Sequence, residues 1–314
     1  MEDEYMNFAH LKYVVEIANT NSISKAAENL YMNQPNLSRA IKSLENELGI
    51  VIFTRSSKGI KLTPEGEEFI QYARKIINQV DDLESMYKEK RTVQKLSVCV
   101  PRASYMSYAI SAFAKKIKLT EPVDIYYRES NSMRAINEVV LGNYNMGIIR
   151  YQDIYAKDFK RLFMEKRLES YVINEFSYSL VMSKNHPLAK RENIRVEELT
   201  DYIEIAHADP YVPNMPLIDV KKNMAPVEMD KIIYVYERAS QYDLLQNVEG
   251  TFMWMSPVSD DYLSKFDLIQ KKCDFNDKIY KDAVIYRKGY KLTALEKLFL
   301  GEVSKVKELI NNIK

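Results

Sequence analysis

With 314 residues, the chain is long enough for two or three compact units with ample buried core. A formal net charge of +1, from 45 Lys and Arg against 44 Asp and Glu, excludes a protein that is basic throughout, so any surface for nucleic acid must be local. Two cysteines, Cys99 and Cys273, lie far apart and read as buried thiols of a reduced chain. The start MEDEYMNF has no basic-plus-apolar leader, and no apolar run approaches the roughly 20 residues that span a bilayer, which predicts a cytoplasmic protein with no membrane partner.

Residues before Asn7 read as a short acidic tail. Phe8, Leu11, Val15 and Ala18 recur at helical spacing and predict a first helix ending around Asn19 to Asn21. Ser22 is placed to cap a second, short helix with Ile23, Ala26, Ala27 and Leu30 on one stripe. After the tight turn Tyr31-Met32-Asn33, the stripe Leu37, Ile41, Leu44 and Leu48 predicts a third helix from Gln34, closed by Gly49. Two helices joined so tightly form a helix-turn-helix candidate, and small Ala26 and Ala27 allow close approach. Alone, Asn33-Gln34-Pro35 is equally an ordinary helix start, because Asn caps and Pro fits the first turn. Beside the second helix, the polar and basic face of Gln34, Ser38, Arg39, Lys42 and Asn46 reads as a surface for base edges and phosphates.

Ile50 to Phe53 and Ile60 to Leu62 read as two short strands around an Arg55-to-Gly59 turn, the wing of a winged helix. Arg55, Lys58 and Lys61 would suit any solvated loop, but next to a helix-turn-helix they suit phosphates. Thr63 and Pro64 then open a long helix to about Arg91. Its apolar residues Phe69, Ala73, Ile76, Val80, Leu83 and Tyr87 keep a heptad seam, the pattern a partner helix requires, so they are the expected dimerisation residues. Twofold pairing fits one recognition helix per chain, since a dimer reads two half-sites of an operator with dyad symmetry.

The run Ser22-Ile23, Ala26-Ala27, Leu30, Asn33-Gln34-Pro35, Leu37-Ser38, Ile41, Leu44-Glu45, Leu48-Gly49, Phe53, Arg55, Leu62-Thr63 and Gly66 closely resembles the DNA-binding domain of LysR-type transcriptional regulators. Asn33 departs from the family's usual Ser but still caps, and Lys58 replaces a second wing Arg, keeping charge and losing the fork. The resemblance implies base reading by Gln34, Pro35, Ser38, Arg39 and Lys42, with Arg55 on the backbone. It also implies a homodimer or homotetramer, and RNA polymerase as a partner if the protein activates.

Lys95 to Val100, Val123 to Arg128 and Tyr144 to Arg150 read as strands alternating with helices at Ser104 to about Lys118 and Ser132 to Leu141, an order that implies a parallel sheet. A second sheet is expected between about 169 and 266, with strands at Tyr178 to Ser183, Ile232 to Glu237 and Thr251 to Ser256. Ala283 to Arg287 and a helix from Thr293 to about Ile313 would return to the first. The fold class that follows is multidomain: a winged helix-turn-helix (1–63), all-α with a small β wing; a linker and dimerisation helix (64–91); and a two-lobed α/β region (92–314). Its lobe I is expected at about 92–168 and 267–314, and lobe II at about 169–266. This element order, His186-Pro187-Leu188-Ala189 and the strand from Gly250 to Pro257 resemble the effector-binding domain of the same family, whose lobes are similar to periplasmic binding proteins.

Ligands of such sheets lie outside the carboxyl ends of the strands, where Arg102, Ser104, Asn131, Ser132 and Arg150 fall. By the resemblance, Arg150 matches an Arg that contacts carboxylate effectors, so the effector expected is anionic or amino-acid-like. Each Ser and the Asn could instead be simply a cap or a turn residue. An enzyme fits poorly: His10, His186 and His207 sit in unrelated contexts, with no metal-binding or phosphate-loop motif and no cofactor or metal implied. The alternative left open is a binding-protein-like enzyme or a metabolite sensor without direct DNA activity.

Overall fold

The computed structural model describes residues 7–56, 59–88, 93–118, 120–224, 227–274 and 276–311. The chain separates into two compact units, Met1–Thr92 and Val93–Lys314.

In the first unit, α1 (Phe8–Thr20) starts at Asn7, whose Oδ1 accepts from Ala9 N, and stops at Asn21 in the left-handed region. It buries Leu11, Val14 and Ile17, one position out of phase with the expected Val15 and Ala18, which are only half-buried. Ser22 Oγ caps α2 (Ile23–Asn29), and Asn33 Oδ1 accepts from Asn36 N to cap α3 (Gln34–Leu48). Gly49 ends α3 at φ 68°, a conformation that costs glycine little. Leu37, Ile41 and Leu44 of α3 join Val14, Ile17, Ala26 and Ala27 in one core, while Leu48, expected on that stripe, is exposed at the last turn.

The wing is β1 (Phe53–Ser56) paired antiparallel with β2 (Gly59–Leu62). It is tied to α3 by Glu45 Oε1, which accepts from Ile52 N at 2.7 Å and Phe53 N at 3.1 Å. Thr63 caps α4 (Pro64–Lys88), accepting from Gly66 N while donating to Val51 O. Gly66 is there for proximity, because an added Cβ would sit 2.1 Å from the Ile52 carbonyl oxygen.

The expected seam along α4 divides. Phe69 packs into the unit's own core and Ala73 is 1% exposed, because the first half of α4 lies against α1. Ala73 is thus covered within its own unit, while Phe69 is only partly so. Further along, Ile76 and Leu83 are exposed, Leu83 at 54%, and Val80 is half-buried. The Tyr87 side chain lies outside the described residues.

The second unit has two five-stranded mixed sheets. The first is built from β3 (Gln94–Val100), α5 (Ser104–Ala114), β4 (Val123–Glu129), α6 (Ser132–Leu141), β5 (Met146–Gln152), α7 (Ala156–Glu165) and β6 (Leu168–Ser177). The second holds β7 (Ser179–Ser183), β8 (Ile203–His207), α8 (Leu217–Met224), β9 (Ile232–Val235), α9 (Arg238–Asn247), β10 (Thr251–Met255), α10 (Asp260–Lys265) and β11 (Leu268–Lys271). The chain returns through β12 (Ile279–Arg287) and α11 (Ala294–Asn311).

Strand orders are β4-β3-β5-β12-β6 and β11-β7-β10-β8-β9, and the returning β12 pairs antiparallel with both β5 and β6. In the first sheet β3 runs parallel to β4 and β5, as the alternation of strands and helices requires. The lobe boundaries expected at about 169 and 266 are both early. Residues 168–177 still belong to the first sheet, held by nine residues of β12, and 268–271 still belong to the second, held by β7. One face of the first sheet packs on α5 and α11 and the other on α6 and α7.

Among the described residues no helix is long and apolar enough to cross a membrane. Cys99 is buried and Cys273 only half-buried, both as free thiols. Burial raises them to about 12 and about 11, so neither offers a thiolate near neutral pH.

Candidate nucleic-acid interface and interlobe cleft

On α3, Pro35, Arg39 and Lys42 are exposed on the side away from the Leu37, Ile41 and Leu44 stripe, Ser38 is half-buried at its edge, and Gln34 is exposed at the leading end of the helix. Asn33, itself exposed, fixes the first turn through its cap, and Arg39 Nη2 donates to Asn36 Oδ1 at 2.5 Å, which steadies the guanidinium one turn in. Lys61 is exposed on β2. Arg55 lies on β1 with its backbone opposite Ile60; its side chain and the whole of Lys58 lie outside the described residues. One residue not singled out from the sequence joins this surface. Tyr31 turns left-handed (φ 53°) between α2 and α3 and is 98% exposed, a fully solvated ring next to the start of α3. Its signal was present in the tight turn, which gives a bulky residue nowhere to bury.

Four of the five residues expected around an effector line one cavity of about 110 Å3 between the lobes: Arg102, Asn131, Ser132 and Arg150. Ser104 does not. It follows the N-cap Ala103 and turns its hydroxyl into the protein, buried and without a hydrogen-bond partner among the described residues.

Arg102, after β3, forms two hydrogen bonds across the cleft to Asp209, after β8, at 2.8 and 3.0 Å. Asn131 caps α6 through Oδ1 while its Nδ2 donates to the same Asp209. Ser132 Oγ donates to the Arg150 carbonyl and accepts from its N–H, pinning the end of β5 to the start of α6. Arg150 itself forks onto Asp282 of β12 at 2.8 and 2.7 Å and stacks over Phe176 at 4.6 Å. Both arginines are therefore already neutralised. Asp282 escaped the sequence reading although it is a carboxylate inside the apolar run Tyr280 to Tyr286, the pattern of a buried acid awaiting a cation.

The uncommitted polar atoms of the cavity are neutral. Gln152 donates to Tyr280 and leaves Oε1 buried without a partner among the described residues, and His207 leaves Nδ1 likewise. Burial first, then the Arg102 charge, push the His207 imidazole down to about 4. Of the other histidines, His186 accepts from Leu188 N as a local cap, and His10 sits in α1 against Tyr13.

A winged helix-turn-helix followed by two mixed α/β lobes now has its counterparts. The model of the bacterial regulatory helix-turn-helix proteins of the LysR family matches residues 8–67. Over 300 residues, 90% of this chain and 91% of the relative, the sequence is 28% identical to AlsR, a helix-turn-helix transcriptional regulator of Bacillus subtilis (strain 168). Residues 8–67 are a helix-turn-helix domain of the LysR family, and the chain over nearly its whole length is similar to a transcriptional regulator. A shorter match, to the regulator BenM of Acinetobacter baylyi, is 46% identical over 90 residues, 29% of this chain and 30% of that one. The fold of the chain is similar to that of CbnR, solved in complex with its target DNA (TM-score 0.61, 17% identity, 96% of this chain and 100% of that one). Full-length OxyR from Pseudomonas aeruginosa gives 0.59 at 16% identity, covering 98% and 96%. The chain thus joins a LysR-family helix-turn-helix domain to an α/β second unit with the fold of full-length CbnR and OxyR.

Proposed function

We propose that this chain is a LysR-type transcriptional regulator that reads its operator through the leading face of α3. In this reading Gln34, Pro35, Ser38, Arg39 and Lys42 lie in the major groove, with Asn33 holding the helix start and Arg55, Lys58 and Lys61 on phosphates. The observation that carries it is the exposure of Gln34 at the leading end, and of Arg39 and Lys42 on the outer face, of a capped helix whose other face is core. Tyr31, beside that face, is added as a backbone contact. A duplex selected from genomic DNA tests the assignment by electrophoretic shift. Gln34→Ala should cost about 1–3 kcal/mol on that duplex and little on random DNA, whereas Lys61→Ala should weaken both alike and flatten the salt dependence. Equal losses on both duplexes for Gln34→Ala would remove Gln34 from base reading.

The division of labour that fits is DNA binding by 1–63, linkage and pairing by 64–91 and effector binding from 92 onward, in a cytoplasmic homodimer or tetramer. Pairing through α4 rests on Ile76, Val80 and Leu83, the part of the seam its own chain leaves open. CbnR bound to DNA supports an operator as partner, and RNA polymerase follows if the protein activates. An enzyme is not favoured, since its relatives are named as regulators.

For the effector, an amino-acid-like zwitterion fits the cleft better than a simple anion. Arg102 and Arg150 each already hold a carboxylate, so an anion finds no free cation there, while a zwitterion can exchange partners with the Arg102–Asp209 pair. Ligand at that pair would change lobe closure, and through it the pairing of effector units and the operator geometry. Thermal-shift screening with amino acids against dicarboxylates decides between them: stabilisation by dicarboxylates alone would overturn the zwitterion.

A further inference from the structure

A second cavity, of about 120 Å3, lies between α8 and the strands β8, β9 and β10. It adjoins the interlobe cavity along Tyr178, His207, Pro210, Met224 and Tyr280, but none of Arg102, Asn131, Ser132 and Arg150 lines it. Its walls are mainly apolar and aromatic, with Ile232, Tyr234, Met253 and Trp254 among them, and Lys221, Lys278 and Asn276 line it as well. Glu204 lines it too. That residue is only 8% exposed, and its carboxyl makes no hydrogen bond or ion pair among the described residues.

A carboxylate buried without a partner is costly, and here burial lifts Glu204 to about 7 even though the charge of Lys278 pulls the other way. The nearby cations are otherwise engaged. Lys278 Nζ donates to the carbonyls of Asn223 and Met224 at 2.9 Å each, and Lys221 Nζ sits 3.7 Å from the centre of the Tyr234 ring. A mainly apolar cavity whose two lysines are held by carbonyls and a ring, and whose acid makes no hydrogen bond or ion pair among the described residues, suits a cation on an apolar body. The faces of Tyr and Trp add to that preference, since aromatic rings attract cations. The size also sets a limit, because a cavity of about 150 Å3 lined by apolar side chains accommodates benzene.

We propose that this cavity is a ligand site, separate from the interlobe cleft, for a small molecule carrying a protonated amine on an apolar body no larger than about a benzene ring. The ammonium pairs with Glu204, and the body rests against Met253 and Trp254.

Trp254 is the only tryptophan of the chain, so its fluorescence reports on this cavity and not on the cleft. The full-length protein is titrated with benzylamine, benzyl alcohol and phenylacetate, which share a ring and differ in charge. Benzylamine should change Trp254 emission saturably and bind at least roughly tenfold tighter than the other two, the worth of a charge-assisted hydrogen bond. Glu204→Gln, which keeps the size and removes the charge, should abolish that preference. Ala206→Leu, which fills the cavity from β8, should abolish the response to all three, and it serves alone should the Glu204 variant fail to fold. The proposal is overturned if phenylacetate or benzyl alcohol binds as tightly as benzylamine, if Glu204→Gln keeps the preference or Ala206→Leu the response, or if benzylamine gives no saturable change up to about 10 mM. None of these outcomes depends on whether a zwitterion binds in the cleft.

Discussion

Arg150 and Asp282, 132 residues apart in sequence, meet as a two-pronged ion pair in which the carboxylate is 0% exposed. Tyr105 donates a further hydrogen bond to the same carboxylate. The pair therefore joins β5 to β12 before any ligand arrives. Arg150→Ala leaves a buried carboxylate without its cation and should destabilise the chain by about 3–5 kcal/mol, read as a fall in the urea midpoint of the full-length protein. Replacing both, as Arg150→Met with Asp282→Leu, should recover much of that loss. An unchanged midpoint in the single variant would mean that Arg150 is free for an effector after all.

Asp209 is gripped by Arg102 and Asn131 from the opposite lobe. Burial raises its carboxyl, but the hydrogen bonds and charge of Arg102 outweigh burial and hold it below the usual range. A depressed carboxylate stabilises above its unfolded value, near 4, and that contribution disappears as pH falls through the lower folded value. The clamp should thus hold at neutral pH and open in acid. Small-angle scattering should show expansion at acid pH, and Asp209→Asn should show it already at pH 7. Equal dimensions of variant and parent at pH 7 would contradict the clamp.

His207 runs in the same direction over a higher window. Its imidazole falls to about 4 from an ordinary 6.5, so the unfolded chain takes up a proton between those values while the folded chain does not. Stability is complete above 6.5 and declines as pH drops toward 4, by about 3 kcal/mol in all. The imidazole resonances of His207 should stay those of the neutral ring at pH 6. A midpoint near 6.5 in that titration would refute the burial argument.

Gly66→Ala places a methyl 2.1 Å from the Ile52 carbonyl oxygen, backbone against backbone, so the start of α4 must move off the wing. A loss of about 1–3 kcal/mol in the thermal stability of the DNA-binding unit is expected. Asn33→Ala removes a cap, at about 1 kcal/mol, and should cost more in operator affinity than in stability because the freed turn carries Gln34. Parental stability in Gly66→Ala would show that the helix and wing can part freely.

Local patterns carried most of the first unit. Caps at Ser22, Asn33 and Thr63, the αL Gly49 and the Leu37-Ile41-Leu44 stripe are all decided within a few residues, and the structure has them where spacing put them. The α4 seam divides because a heptad says that a stripe is covered, not by whom, and Ala73 is covered within its own unit while Phe69 is only partly so. In the second unit the cleft cations were legible and their partners were not. Asp209 and Asp282 arrive from 107 and 132 residues away, so pairing depends on how the sheets close. Strand β6, Leu168–Ser177, carries the burial pattern of a sheet edge, with few alternating apolar residues to mark it, and the lobe boundary slipped with it.

Base-by-base footprinting of the full-length protein on a duplex selected from genomic DNA tests the central claim most directly. Two protected half-sites related by a dyad, centred one or more helical turns of about 34–36 Å apart, are predicted, with Gln34→Ala erasing the major-groove contacts while leaving phosphate protection. Uniform protection that random competitor DNA removes as readily as the selected duplex would contradict it.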